Sequence, residues 1–122
     1  MTSLSKNVPR LCKYFAAFLC LTAPAAAQYP EWPHSGSIWL ITTPEGANLP
    51  SGAEVLEFPV LVRFDRDWFD FTQVHAEGTD LRFSSGGNPL AYQIEKWDAA
   101  GGTAAVWVRI PKIKGNDRQE IR

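Results

Sequence analysis

The chain has 122 residues, of which 45% are hydrophobic and 12% aromatic, with 12 Lys and Arg side chains against 13 Asp and Glu. This length allows one compact domain and excludes a multidomain catalytic machine. The net charge of -1 gives no electrostatic footprint for nucleic acid, and the aromatic content argues against intrinsic disorder.

Residues 1–27 have the pattern of a secretory signal peptide. Three basic side chains precede the apolar run 14–21, and small residues then follow up to Ala27, so cleavage is predicted between Ala27 and Gln28. The alternative is a membrane anchor, but the run is shorter than the roughly 20 residues that a spanning helix needs. A secreted or periplasmic protein with no membrane span in its mature chain is therefore expected.

Cleavage at this point would change the composition of the protein. Both cysteines lie in the predicted signal peptide, so the mature chain would have no disulfide, no thiol nucleophile and no zinc-thiolate site. Nine basic side chains against 13 acidic ones would remain, for a net charge of -4. Such a domain must be stabilised by its own hydrophobic core.

The mature sequence alternates with the period of two that is typical of β-strands. Residues 28–35 form a Pro-rich linker leading into a domain that spans 36–122. Turn residues separate five segments rich in β-branched and aromatic side chains, which predicts strands. These segments are 37–43, 55–64, 80–84, 90–97 and 103–110. Residues 119–122 resemble the beginning of a further strand.

Alternation within two of these strands predicts which side chains face the core. In the strand 55–64, one face carries Leu56, Phe58, Val60, Val62 and Phe64. Pro59 lies on the other face and indicates an edge strand or a bulge. In the strand 90–97, Lys96 is expected on the same face as Tyr92 and Ile94, with Trp97 on the opposite face.

No window of the sequence has a convincing amphipathic helical stripe, so the pattern predicts an all-β protein. The fold class expected is an antiparallel β-sandwich of the jelly-roll or lectin-like kind. The short last strand indicates that the sandwich is incomplete or that the chain is a fragment. An incomplete sandwich would have an unpaired edge strand, which predicts self-association through that edge.

Four motifs in order carry a resemblance to a known family. They are FPVLVRF at 58–64, EGTDLRF at 77–83, LAYQIEKW at 90–97 and AVWVRIP at 105–111. They resemble the bacterial family called domain of unknown function 2341, over residues 36–122. The family continues with a further strand, so the chain looks truncated at its C-terminus. The resemblance implies an extracytoplasmic β-sandwich, often beside lectin-like laminin-G-type domains or proton channels of the TolQ/ExbB kind, and no established activity.

The acidic run Asp65, Asp67 and Asp70 is a weak candidate calcium site. Several carboxylates on one loop suit Ca²⁺, but the glycine and closing glutamate of an EF-hand loop are missing and Arg66 adds a positive charge. A solvated turn in which an aspartate caps the backbone is the favoured interpretation.

The sequence of a second acidic segment, 77–80, also predicts a turn. Asp80 is expected to accept backbone hydrogen bonds there, and Gly78 to supply an unusual backbone angle. Asp80 and Arg82 share a strand face, where an ion pair with a neighbouring strand is expected rather than acid-base chemistry.

Catalytic constellations are weak in this sequence. Glu95 with Glu57 or Asp80 would be a carboxylate pair for glycoside hydrolysis if a cleft separated them suitably. Ser84 and Ser85 lack the context of a catalytic nucleophile, and two histidines are too few for a closed zinc site.

The aromatic side chains are the more informative group. Trp39, Trp68, Trp97 and Trp107 with Tyr92 would suit stacking on a sugar ring. Trp39 and Trp107 lie inside hydrophobic strands and are expected to fill the core. Trp68 is the ring expected to be most exposed, followed by Trp97. The candidate ligand-binding residues are therefore Trp68, Trp97 and Tyr92.

These features together favour a non-catalytic extracytoplasmic module that binds a glycan or another envelope protein, without a cofactor unless calcium binds. Two alternatives stay open. One is a structural or sensor extension of a cell-envelope assembly such as a TolQ/ExbB-type proton-channel complex. The other is a carbohydrate-active hydrolase.

Overall fold

The computed structural model of the protein describes residues 29–122, so the predicted signal peptide and its cleavage between Ala27 and Gln28 lie outside the described residues. Seven strands follow in chain order, with 3₁₀ turns at Phe71–Gln73 and Ala76–Gly78. The strands are β1 (Ile38–Ile41), β2 (Glu54–Asp65), β3 (Ser84–Ser85), β4 (Asn88–Pro89), β5 (Tyr92–Asp98), β6 (Thr103–Lys114) and β7 (Arg118–Ile121). Within this part of the chain, no helix is long and apolar enough to cross a bilayer.

The strands form two layers. One layer is the antiparallel sheet β2-β6-β5, with the long strand β6 at its centre. The other contains the pair β1-β7 and the hairpin β3-β4. Backbone N–H groups of Ser84 and Arg122 donate to each other's carbonyls, at 2.7 and 2.8 Å, and join β3 to β7. The predicted all-β, sandwich-like fold is therefore confirmed.

The hydrophobic core lies between these layers. Val106 and Val108 of the central strand are fully buried, because alternate residues of β6 face inward. From the other layer, Ile121 of β7 is 1% exposed, and Ile38 and Leu40 of β1 pack against the same cluster. The remaining buried apolar side chains are Val62, Phe64, Phe83, Leu90, Ala104, Ile110 and Ile113.

The predicted core face of β2 is correct only for its second half. Val60, Val62 and Phe64 face inward, but Leu56 is 60% exposed. The backbone of Glu57 has a φ of 51°, in the left-handed region, and this reverses the alternation of the strand at that residue. Leu56 consequently pairs with Lys112 on the outer face.

The predicted faces of Lys96 and Trp97 in β5 are wrong because the strand contains a β-bulge. The register of β5 against β6 shifts between Ile94 and Lys96. The extra residue moves Lys96 to the outer face and turns Trp97 to the side of Tyr92 and Ile94. Trp97 is therefore half-buried rather than exposed.

The expected burial of Trp39 and Trp107 is wrong. Trp39 is 55% exposed and Trp107 39% exposed. Each tryptophan lies between two residues that face inward, so alternation directs its ring to the outer surface of its sheet. On that surface, the Trp107 Nε1 donates to Glu95 Oε2 at 2.7 Å.

The predicted strand 80–84 is shortened to its last residue. Asp80 and the preceding residues form turns, in which the His75 N–H donates to Asp80 Oδ1 at 2.9 Å. The strand β3 begins only at Ser84 and turns into β4 through Gly86 and Gly87, both with positive φ. This two-glycine turn closes the β3-β4 hairpin.

Two prolines lie within the three-stranded sheet where their missing N–H groups are tolerated. The Arg66 N–H donates to the Gly102 carbonyl, so the even-numbered N–H groups of β2 after Glu57 face β6. The nitrogen of Pro59 therefore lies on the outer edge of the sheet, and the predicted edge strand is confirmed. The nitrogen of Pro111 likewise faces away from β2. At this position β6 has already passed the last residue that is paired with β5, so no hydrogen bond is lost.

Candidate functional site: an aromatic cleft beside the β-sandwich

A cleft of about 600 Å³ lies at one end of the sandwich. Its walls come from the segment 29–38, from the loop after β2 and from residues 80–84. These segments meet because the loop after β2 and the turn before β3 both extend from the sheets. The segment before β1 then folds across that loop and that turn. The cleft thus combines chain segments that are distant in sequence.

Trp68 provides the exposed aromatic surface of this cleft. Its ring is stacked on Phe64, with centroids 5.1 Å apart and an angle of 24° between the planes. Phe64 is itself 4% exposed and belongs to the core, while Trp68 is 55% exposed. The Phe69 ring contacts both in edge-on geometry. One face of Trp68 is therefore supported by the core, which leaves the indole held in a defined orientation beside the cleft.

Another part of the cleft wall is built around Trp32. Its Nε1 donates to the backbone carbonyl of Asp80, and its ring lies 5.5 Å from that of Tyr29. The guanidinium of Arg82 lies 5.3 Å from the Trp32 ring centroid, a cation-π distance. The predicted linker is thus docked onto the domain at Trp32.

Arg82 is held by hydrogen bonds to three oxygen acceptors. Its Nη1 donates to the carbonyls of Thr79 and Leu81, at 3.1 and 2.6 Å, and to the hydroxyl of Tyr92 at 3.2 Å. The expected ion pair with a neighbouring strand does not form among residues 29–122. Backbone carbonyls take its place because residues 80–83 are a turn and a loop rather than a strand.

Asp70 contributes a carboxylate to the cleft and begins the 3₁₀ turn Phe71–Gln73. Its Oδ1 accepts from the backbone N–H and the hydroxyl of Thr72, at 2.9 and 2.6 Å. These hydrogen bonds, the hydroxyl first, lower the pKa of Asp70, and the charge of nearby His34 lowers it further. Asp70 is therefore ionised at neutral pH and available to accept hydrogen bonds.

The structure separates the three predicted ligand-binding residues. Trp68 lines the cleft, whereas Trp97 and Tyr92 do not. Trp97 is packed among Phe69, Phe71 and the backbone of Gly78, and its buried Nε1 has no partner in residues 29–122. The expected ranking of Trp97 as the next most exposed ring is wrong, because the β-bulge turns it inward.

Tyr92 has a structural environment of its own. Its ring contacts Phe83 edge-on at 5.2 Å, and its hydroxyl donates to the Leu81 carbonyl at 2.5 Å while accepting from Arg82. The side chain is half-buried. Its connection to the cleft is indirect, since it positions Arg82.

Two of the three aspartates of the candidate calcium site accept hydrogen bonds from nearby backbone N–H groups. Asp65 Oδ1 accepts from the Asp67 backbone N–H at 3.0 Å, and Asp70 caps the following 3₁₀ turn. Across residues 29–122, no group of three or more His, Cys, Asp or Glu side chains is arranged to hold a metal ion. Calcium binding by this run stays a prediction from sequence.

The carboxylates considered for glycoside hydrolysis have structural partners. Glu95 accepts from Trp107, and Glu57 pairs with Arg109 at 3.2 Å, both on exposed surfaces. Asp80 binds the backbone N–H of His75. No two of these three carboxylates contact each other within residues 29–122, and of the three only Asp80 lines the cleft.

Sequence reasoning missed Tyr29, Trp32 and Arg82 as parts of the cleft. Two of them lie in or next to the predicted linker, where side chains are not expected to pack. The only local signal is the aromatic Trp32 between Pro30 and Pro33, because a large apolar ring in a linker must dock against something to leave water.

Comparison with known proteins finds a match for one stretch of this chain. No curated protein and no solved structure matches the chain. The motif at 58–64 and the cleft residues before residue 77 lie outside the one matched stretch. Residues 77–122 match the model of the family described as Domain of unknown function (DUF2341), which confirms the resemblance drawn from the sequence motifs for this part of the chain.

Proposed function

We propose that this protein is a non-catalytic extracytoplasmic module that binds a glycan in the cleft that Trp32 and Trp68 line. The observation that carries the proposal is the exposed Trp68 ring, stacked on the core and facing a cleft of about 600 Å³. A volume of this size is typical of a site for a small ligand. The extracytoplasmic location rests on the signal-peptide pattern of residues 1–27.

The chemistry of the cleft favours a carbohydrate over a wholly apolar ligand. An indole face covers the C–H groups of a pyranose, whereas the hydroxyls at its rim need hydrogen-bonding partners. Asp70 supplies an acceptor and Arg82 supplies donors from the walls of the same cleft. A ligand with an apolar face and a polar rim therefore suits these walls.

The contacts of the acidic side chains support binding without catalysis. Glycoside hydrolysis requires one carboxylic acid to donate a proton while a second carboxylate assists. In the cleft, Asp70 has a lowered pKa and caps a backbone turn, so it is a poor proton donor. Asp80 is occupied by the N–H of His75. These roles agree with a binding module.

A glycan array with Trp68→Ala tests this function. The matched control is Trp39→Ala, because Trp39 has the same exposed fraction of 55% but lies on the outer face of β1 and does not line the cleft. We expect the unmodified protein and the Trp39→Ala variant to bind the same glycan, and Trp68→Ala to lose about tenfold or more in affinity, as the loss of a tryptophan contact at the centre of a site predicts.

Thermal melts of both variants establish that each one is folded. Incubation of the bound glycan with the protein should release no new reducing ends. Release of product would replace the proposal with a hydrolase. Glycan binding that survives Trp68→Ala, or the absence of any glycan ligand for the folded protein, would reject this cleft as a carbohydrate site and favour the envelope-protein partner.

A further inference from the structure

We infer that the cleft selects an acidic sugar, and that Arg82 binds the carboxylate of a uronic acid or related sugar acid. This inference rests on the proposed glycan-binding function and names the class of glycan. It depends on three features of Arg82: its fixed position, the absence of a neutralising partner within residues 29–122, and its place in the wall of the cleft that Trp68 and Asp70 also line.

The guanidinium of Arg82 is pre-organised. One nitrogen, Nη1, donates to Thr79, Leu81 and Tyr92, and the group lies near the Trp32 ring. These contacts restrict the rotamers that a free arginine would sample, so less entropy is lost when a ligand binds. The Nε and Nη2 donors form no hydrogen bond with any other part of the described chain.

No carboxylate within the described residues neutralises this charge. The other arginine that lines the cleft, Arg122, lies 3.6 Å from Glu120. By contrast, within residues 29–122 the hydrogen bonds of Arg82 go only to neutral oxygens, and the nearest acid along the chain, Asp80, accepts from the His75 N–H instead. A planar guanidinium with free donors is suited to bind a carboxylate through paired, charge-assisted hydrogen bonds.

The neighbouring groups distinguish a sugar acid from a simple anion. Asp70 lies in the same cleft, and its ionised carboxylate can accept hydrogen bonds from the hydroxyls of a sugar ring. Trp68 offers an apolar face that an inorganic anion cannot use. A pyranose that carries both hydroxyls and one carboxylate satisfies all three groups.

Titration with matched pairs of oligosaccharides tests this selectivity. Each pair consists of a uronic-acid oligosaccharide and the same chain after its carboxyl groups are reduced to alcohols. We expect the acidic member to bind the unmodified protein at least about tenfold more tightly, the effect of one charge-assisted hydrogen-bond pair, and the preference to decrease as salt is raised.

Variants of the arginine complete the test. Arg82→Gln should remove the preference for the acidic chain, and Arg82→Lys should retain only part of it, because lysine keeps the charge without the planar fork. Arg63→Gln, on the outer face of β2, is the matched control and should retain the full preference. Melting curves show whether the Arg82 variants are folded, and a folded Arg82→Lys still gives an answer if Arg82→Gln does not fold.

The outcomes separate this inference from the proposed function. Equal binding of the acidic and reduced chains, lost only in Trp68→Ala, would overturn the role of Arg82 and leave the glycan-binding function standing. A preference for acidic chains that persists in folded Arg82→Gln would also overturn it. Failure of every oligosaccharide to bind would overturn both.

Discussion

Gly78 shows how one residue joins the turn before β3 to the aromatic cluster. Its φ is 68°, as the sequence predicts for this turn, and a Cβ at this position would lie 2.8 Å from two ring atoms of Trp97. Glycine is required for both reasons, since an L-residue disfavours this backbone angle and the indole leaves no space for a methyl group.

We therefore expect Gly78→Ala to lower the free energy of unfolding more than Gly86→Ala does. Gly86 also has a positive φ, 55°, but a Cβ at this position would have no other atom within 4 Å. Both variants have the backbone cost, and only Gly78→Ala adds overpacking of about 1 to 3 kcal/mol. Urea denaturation of the two variants measures this difference. Equal losses in the free energy of unfolding would show that the Trp97 ring moves to make room for the methyl group.

Tyr92 is the residue that connects the core to Arg82. Its hydroxyl bonds to the Leu81 carbonyl and to Arg82, so Tyr92→Phe removes two hydrogen bonds while keeping the ring contact with Phe83. We expect a loss of about 1 to 2 kcal/mol in stability. We also expect weaker preference for acidic glycans, since Arg82 loses one of its three acceptors. Denaturation and the same paired titrations measure both effects.

At the scale of elements, β2 is a long strand at the edge of its sheet, and it has a proline near its middle. The nitrogen of Pro59 lies on the outer edge, where an N–H would otherwise offer a donor to another strand. Proline on an edge strand protects a sheet against edge-to-edge pairing. The exposed side chains of Leu56 and Phe58, 60% and 48% exposed, lie on the same strand and favour such pairing.

Pro59→Val is therefore expected to increase self-association. The variant adds an N–H to the free edge of β2 and a side chain that favours strands. Sedimentation velocity at increasing concentration should show a larger dimer fraction than for the unmodified protein. Pro44→Val, in the turn after β1, is the control and should sediment like the unmodified protein. An unchanged monomer for Pro59→Val would show that the proline does not protect this edge.

For the whole molecule, the last strand holds one layer together and packs it against the core that both layers share. β7 pairs with β1, bonds to β3 through Ser84, and inserts Ile121 into the common core. A strand of four residues thus connects elements from both ends of the described chain. The closing contact spans most of the sequence, which makes the fold dependent on non-local pairing.

Removing the Ile121 side chain should destabilise the entire domain in one transition. Ile121 is 1% exposed, so Ile121→Ala is expected to cost about 2 to 5 kcal/mol. Arg118→Ala, an exposed position of the same strand, should change stability by less than about 0.5 kcal/mol. Thermal melts followed by circular dichroism compare the two. A small effect of Ile121→Ala would mean that β7 contributes little to the core.

Local sequence determined the strands, several turns and the family resemblance, because alternation, glycines and prolines act over a few residues. The strands β1, β2, β5 and β6, the edge position of Pro59 and the backbone angle of Gly78 all follow from such patterns. Alternation alone could not locate the reversal at Glu57 or the bulge before Lys96, since both depend on how neighbouring strands pair.

Only the tertiary structure decided which aromatic rings are exposed and which residues form the cleft. Trp39 and Trp107 face outward because their neighbours fill the core, and Trp97 faces inward because of a bulge. Trp32 meets Arg82 and Asp80 across about 50 positions of sequence, with a hydrogen bond between residues 48 apart. Contacts at such separation result from the packing of whole layers, and no local preference of the chain encodes them.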